Sequence, residues 1–168
     1  MALFPPGKGG GEGVGRGFKG KGVLIHALTD ANGMPLAVST TPANASERAE
    51  VLPLLDSIRI RTGKPGRPRS NPNQLAADKG YDSKALRDAL RRRGIRPEIP
   101  KRIWKNRKQP PGRKLIKRVA RFVVERCFSW FQRKFRRLVV RWERKPCIFN
   151  AFVTLGAIII WLERLLKG

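Results

Sequence analysis

Residues that build zinc and redox sites are scarce in this sequence. The 168 residues contain two cysteines, Cys127 and Cys147, and one histidine, His26. The cysteines form no Cys-X-X-Cys pair, so the sequence supports neither a disulfide framework nor a Cys/His zinc site. We expect Cys127 to be a buried apolar side chain and His26 to be packed or paired in a strand. Any metal site would have to use carboxylate oxygens.

Acidic residues are also few. The chain has 12 Asp and Glu against 37 Lys and Arg, a formal charge of +25 and a sequence pI of about 11.7. Each phosphate that a Lys or Arg neutralises releases counterions, so this excess predicts a polyanionic partner. Nucleic acid is the first candidate, and an anionic membrane surface is the second.

Long apolar runs are rare as well. The longest, residues 147–162, falls short of the roughly 20 residues that cross a bilayer, so we predict a buried core helix from about Ile148 to Leu166. The glycine-rich and lysine-rich N-terminal segment has no apolar stretch of the kind found in signal peptides. We expect residues 1–22 to be flexible and 23–168 to form the folded domain.

The patterning within 23–168 predicts short strands alternating with helices. Asn32-Gly33 joins two apolar runs, 21–30 and 34–41, and is a strong hairpin signal. Further strands are predicted at 74–78 and 95–99. Ser46, with Glu50 downstream, introduces a short predicted helix that carries apolar residues from Val51 to Ile58. Two more helices are predicted, one capped by Ser83 and running through Arg93, and one over 115–142. Pro110-Pro111-Gly112 places a loop within the basic segment 100–114. This order indicates an α/β layer fold.

The basic residues concentrate between Arg91 and Arg118, where Glu98 is the one acid. Such density favours contacts with a DNA backbone over a merely solvated surface. The candidate contacts in this run are Arg91, Arg92, Arg93, Lys101, Arg102, Lys105, Arg107 and Lys108. Of the four tryptophans, Trp104 alone lies in this basic segment and could stack on bases, whereas Trp130, Trp142 and Trp161 are predicted to be core residues.

Two acids are candidates for chemistry. Asp78 ends an apolar strand, and Glu125 lies mid-helix beside an apolar stripe. If the two side chains face each other, they form a site with only oxygen ligands, which suits Mg²⁺ or Mn²⁺. Two such metal ions held by shared carboxylates activate water or a 3′-hydroxyl to attack a phosphodiester. Two other interpretations stay open, a turn or helix cap for Asp78 and an ion pair with Arg121 or Arg126 for Glu125. A third carboxylate is expected from a strand preceding 21–30.

Three segments together resemble the catalytic domain of bacterial insertion-sequence DDE transposases of the IS-four/IS-five groups. They are GFKGKGVLIHALTDANGMPLAVSTTPANASE, LAADKGYDSKALRDALRRRGIRPEIPKR and RFVVERCFSWFQRKFRRL. The resemblance spans nearly the whole chain. It implies an RNase H-like mixed sheet flanked by helices, with the N-terminal part incomplete. It also implies Mg²⁺- or Mn²⁺-dependent cleavage and strand transfer on double-stranded DNA at transposon ends, self-association, a cytoplasmic, nucleoid-associated location and no membrane partner.

The resemblance also carries over to single residues. The second Asp of the family falls on Asp78 and its Glu on Glu125, whereas Asp82 matches a position that is not a ligand. The basic residue that often follows the Glu by two turns is Gln132 here. The DNA contacts that the resemblance adds are Arg121, Arg133 and Lys134.

One family position has no counterpart. The first Asp of the family lies shortly before a turn resembling Pro6–Gly10, and residues 1–4 contain no acid. Glu12 lies in a glycine loop and is a poor substitute. The resemblance therefore implies a truncated and impaired copy. The competing interpretations are a non-catalytic nucleic-acid-binding protein and a membrane-surface protein that uses its C-terminal helix.

Overall fold

The structure is a computed structural model that describes residues 2–60, 65–66, 68, 71–101 and 119–167, with the backbone only for 119–121. Its strands are β1 (Ala2–Leu3), β2 (Gly15–Gly17), β3 (Gly20–Thr29), β4 (Pro35–Pro42), β5 (Gln74–Ala76) and β6 (Arg96–Glu98). Its α-helices are α1 (Val51–Ser57), α2 (Lys84–Arg92), α3 (Val119–Lys134) and α4 (Pro146–Lys167). The described chain is therefore a mixed α/β structure.

The hairpin of β3 and β4 lies at the centre. The two strands pair antiparallel from Val23↔Pro42 to Leu28↔Ala37. Asp30 Oδ1 accepts hydrogen bonds from the backbone N–H groups of Asn32 and Met34, at 2.9 and 2.8 Å. Gly33 has φ +86°, a conformation that glycine adopts without steric cost. The hairpin predicted at Asn32-Gly33 is confirmed.

The other edge of β3 pairs with the N-terminal segment. β1 aligns Ala2 with His26, and β2 aligns Gly15 with Gly22, both antiparallel. The sequence predicts flexibility for residues 1–22, but the structure gives the described residues 2–22 sheet pairings and contacts with the loop after α3. The boundary between the two predicted regions stays a prediction.

One apolar cluster fills the space between β3 and the helices α3 and α4. Ile25, Phe131, Phe149 and Val153 are completely buried within it. α4 thus has the core face predicted for the C-terminal helix, but its opposite face carries half-exposed apolar residues such as Leu155. α4 is long and apolar enough to span a membrane by length and composition, and 28% of its most apolar window is buried.

A second cluster joins α1, β5, α2 and β6. Leu55, Leu90, Ile95 and Ile99 are its most buried members, and β5 and β6 pair in parallel. The Ser83 hydroxyl accepts a hydrogen bond from the backbone N–H of Leu86 at 3.1 Å, which caps α2 as predicted. The helix ends before Gly94, at φ +73°.

The predicted helix over 115–142 differs from the structure at its C-terminal end. α3 ends at Lys134 because Phe135 leaves the helical region, at φ −122° and ψ 89°, and a 3₁₀ turn at Arg136–Leu138 follows.

Trp142 is 54% exposed, so its assignment to the core was wrong. The Lys8 ammonium lies 5.8 Å from the centroid of the Trp142 ring, within cation–π range. The helix start at 115, the loop 100–114 beyond Lys101, and Trp104 lie outside the described residues.

Arg141 ties the glycine-rich N-terminal loop to this segment. Its side chain is 2% exposed, and its guanidinium donates to the carbonyl oxygens of Glu12, Glu143 and Arg144. Its backbone N–H donates to the carbonyl of Pro6 at 2.8 Å. Burial lowers the pKa of Arg141, and the neighbouring Glu143 carboxylate opposes that shift. The N-terminal loop therefore satisfies a buried cation.

Substituting Arg141→Ala should destabilise the protein, because it leaves carbonyl oxygens without a donor and opens a cavity. We expect the free energy of unfolding to fall by about 3 kcal/mol. Urea unfolding followed by circular dichroism measures this loss. Arg136→Ala, at an exposed position, is the matched control and should change stability by less than about 0.5 kcal/mol. Equal losses in the two variants would refute the structural role of Arg141.

His26 lies on the central strand and is 2% exposed. Its Nε2 is 2.7 Å from the hydroxyl of Thr41 on β4, so the expectation of a packed, paired histidine is confirmed. Burial lowers the pKa of His26, and Glu50 and Glu47 partly oppose that shift. The fold therefore favours the neutral imidazole.

The depressed pKa predicts that stability falls in acid. The unfolded chain binds a proton at His26 near pH 6.5, whereas the folded chain binds it only at lower pH. The free energy of unfolding should thus decline as pH drops through and below about 6.5. His26→Gln removes this contribution, because it leaves no imidazole to titrate. Urea unfolding across this pH range tests it, and parallel pH profiles for the two proteins would contradict it.

Candidate functional site

Asp78 follows β5 directly and precedes a 3₁₀ turn at Lys79–Tyr81. It is exposed, with φ −67° and ψ 159°, and its carboxylate makes no capping hydrogen bond. The turn is closed by the Asp78 carbonyl, which accepts from the backbone N–H of Tyr81 at 2.9 Å. The second cluster holds this strand end through Leu75 and Tyr81. The capping interpretation of the Asp78 side chain is therefore wrong.

The residues after Asp78 anchor the loop. The buried hydroxyl of Tyr81 donates to Glu47 Oε2 at 2.7 Å, and burial together with this hydrogen bond raises the pKa of Tyr81. Arg87 forms an ion pair with Asp82 at 2.7 Å and donates to the carbonyl of Ile99. Asp82 thus has a structural partner, consistent with its position outside the expected ligand set. No local sequence pattern indicates the role of Glu47, because its partner Tyr81 lies 34 residues away in the chain.

Glu125 is carried by α3. This helix buries Val123, Cys127 and Phe131 against β3 and α4, and burial raises the pKa of the Cys127 thiol to about 12. Glu125 lies off that stripe and is exposed. From the sequence, we expected Glu125 to lie next to the apolar stripe and not on a plainly solvated face. The exposure of Glu125 shows that this expectation was wrong. The next residue, Arg126, lies with its guanidinium 4.8 Å from the Phe122 ring centroid.

The two acids have the chemistry of metal ligands, but the set is incomplete in the described part of the chain. Asp78 and Glu125 offer exposed carboxylate oxygens, the donors that Mg²⁺ prefers. Among the described residues, no three His, Cys, Asp or Glu side chains form a group able to hold a metal ion. The described residues therefore do not fit a complete two-metal site, and we derive no chemical step through a metal.

One part of the predicted DNA surface lies at the end of α2. Arg91, Arg92 and Lys101 are exposed. Arg91 pairs with Asp88 at 3.1 Å, and Arg93 makes two contacts with the Asp56 carboxylate, at 2.6 and 3.2 Å. Arg92 and Lys101 are therefore better placed than Arg93 to meet a phosphate.

The other part lies at the end of α3, where Arg133 and Lys134 are exposed and Lys134 pairs with Glu163 on α4. The predicted contacts that fall outside the described residues are Arg102, Lys105, Arg107 and Lys108, together with the side chain of Arg121.

Comparison with known proteins identifies relatives over most of the chain. The family model described as the transposase DDE domain matches residues 4–162. The protein named as transposase for insertion sequence element IS402 of Burkholderia cepacia is 44% identical over 135 residues, which cover 80% of this chain and 60% of that relative. The transposase for IS1106 of Neisseria meningitidis serogroup B is 33% identical over 120 residues, covering 68% of this chain and 37% of that relative.

A third relative, named as transposase for insertion sequence element IS6501 of Brucella ovis, is 25% identical over 152 residues. The alignment covers 83% of this chain and 97% of that relative. No solved structure gives a significant match. The matched part of this chain spans less than two thirds of the IS402 relative and of the IS1106 relative. The match over residues 4–162 and the 44% identity show that the chain belongs to the DDE transposase family of bacterial insertion sequences.

Proposed function

We propose that this chain acts in cleavage and strand transfer of DNA at insertion-sequence ends, on an RNase H-like fold spanning about 23–168. The observation that carries the proposal is the exposure of Asp78 and Glu125, the two acids at family-matched positions. Two separate apolar clusters hold them in place. The chain as a whole has a formal charge of +25, which suits a phosphodiester substrate.

Asp78 and Glu125 are proposed as metal ligands, because DDE transposases in general use divalent metal ions. Their oxygen donors match Mg²⁺ or Mn²⁺. Two carboxylates carry less negative charge than a shared pair of cations needs. We infer from the described residues that this chain by itself is impaired in cleavage.

Double-stranded DNA at transposon ends is the proposed partner. The exposed cations Arg91, Arg92, Lys101 and Arg133 would contact phosphates, which position a protein on DNA without reading its sequence. Self-association and a cytoplasmic location on the nucleoid belong to the same proposal.

The carboxylates are tested first by metal binding, which does not require activity. We expect Asp78→Asn and Glu125→Gln each to weaken Mn²⁺ binding about tenfold or more, because each removes a charged ligand. Electron paramagnetic resonance of free Mn²⁺ during a titration measures the affinity. Asp88→Asn and Glu12→Gln make the same chemical changes at other sites and should leave the affinity unchanged. Equal effects in all four variants would rule out a specific metal site.

Cleavage is tested by nicking of a supercoiled plasmid with Mg²⁺. We expect slow nicking that either Asp78→Asn or Glu125→Gln abolishes. Nicking that survives both substitutions would refute the assignment. DNA binding without any effect of Mg²⁺ or of these variants would favour the alternative, a non-catalytic nucleic-acid-binding protein.

The α2 surface is tested by the salt dependence of duplex binding. Replacing Arg91 and Arg92 together by glutamine should lower the slope of log K against log salt concentration by about 2, because each phosphate contact contributes roughly 0.9. Fluorescence anisotropy with a labelled duplex measures it. The pair Lys19→Gln and Arg48→Gln removes equal charge from exposed positions elsewhere and should change the slope much less. The same slope in both double variants would show that charge, and not this surface, governs binding.

A further inference from the structure

A groove lies between the β3–β4 turn, α3 and α4, and of its lining residues only Lys134 has been named above as a candidate DNA contact. Its volume is about 320 Å³. Its charged lining comes from Arg126, Lys134, Glu163, Arg164 and Lys167, and Trp130 lines it as well. Three helical positions spaced four apart, 126, 130 and 134, form the α3 wall.

The charge of this groove is strongly positive. It contains four cationic side chains and one carboxylate, that of Glu163. Lys134 pairs with Glu163, and hydrogen bonding and charge from Lys134, with a further contribution from Lys167, lower the pKa of that carboxyl. Glu163 is therefore ionised and neutralises one cation, which leaves three cationic side chains in the lining that can bind an anion.

The uncharged part of the lining is apolar except for Asn32. Met34 and Ile160 are 5% and 4% exposed, and the indole of Trp130 lies half-buried beside them. A cationic rim over an apolar floor matches a single nucleic-acid strand, whose phosphates are charged and whose sugars and bases present apolar faces. The volume is on the scale of a small-molecule pocket of about 300–1,000 Å³, which suits one nucleotide unit and not a duplex.

We propose that this groove binds a single strand of DNA by its phosphodiester backbone. The proposal rests on the proposed function, and it adds a path for the strand. Arg126 immediately follows Glu125 on α3, so a strand held in the groove lies alongside the helix that carries this candidate catalytic acid. Arg126 and Lys167 hold phosphates at the two walls, and Trp130 offers a ring for base stacking.

The test is the affinity for a labelled single-stranded oligothymidine, followed by fluorescence anisotropy over a range of KCl concentrations. The double variant Arg126→Gln, Lys167→Gln should bind about tenfold more weakly, with the salt slope reduced by about 1.4, because each single-strand phosphate contact contributes about 0.7. The charge-matched variant Lys19→Gln, Arg48→Gln should keep most of the affinity and slope. Binding of a duplex of the same length should change less than binding of the single strand.

Trp130→Leu provides a second, charge-neutral variant. It should weaken single-strand binding several-fold without changing the salt slope, since stacking involves no counterions. Thermal unfolding verifies that each variant is folded. Equal losses in the groove and control double variants, or equal losses for duplex and single strand, would overturn the proposal. If the unmodified chain binds no DNA, the proposed function fails as well; if it binds DNA and only the groove variants lack effect, this inference alone fails.

Discussion

The burial of β3 on both faces is the constraint on which the rest of the fold depends. Val23, Ile25 and Ala27 point into the cluster formed with α3 and α4, and Leu28 packs against the cluster of α1, β5 and α2. Alternate residues of a strand face opposite sides of a sheet, so one strand orders both apolar clusters. A change in its register would exchange the residues of the two faces and disrupt both clusters at once.

This arrangement explains how one fold holds two acids that are far apart in the sequence. Glu125 is placed by α3, which packs on β3 through residues such as Cys127 and Phe131. Asp78 is placed by β5 and the turn after it, which pack in the second cluster through Leu75 and Tyr81. The separation of the two acids therefore depends on how each cluster packs against the same strand. Mutations far from either acid, in β3, can alter the candidate site.

Signals carried by a few neighbouring residues were sufficient for much of the fold. The Asn32-Gly33 turn and the Ser83 cap are local features, and the structure has both. The end of α3 was not predictable from periodicity, because the apolar spacing continues through Leu138 although the backbone leaves the helix at Phe135. The contact of Arg141 with Glu12 spans 129 residues, and no local pattern indicates it. Asp78 and Glu125 were selected from their positions at a strand end and in a helix, and the resemblance gave them the ligand roles, whereas their exposure required the structure.

The scarcity of acids bears on the stability of the folded chain. Several of its acids form intramolecular ion pairs in the described residues: Asp56 with Arg93, Asp82 with Arg87, Glu98 with Arg96, Glu143 with Arg137 and Glu163 with Lys134. Acids used in this way cannot offset the remaining cations, and a net charge of +25 opposes the compact state through self-repulsion. A polyanion that binds the folded chain relieves this repulsion and stabilises the fold by mass action. If DNA is the partner, as proposed, the same positive charge that attracts it would also make the stability of the folded chain increase with DNA concentration.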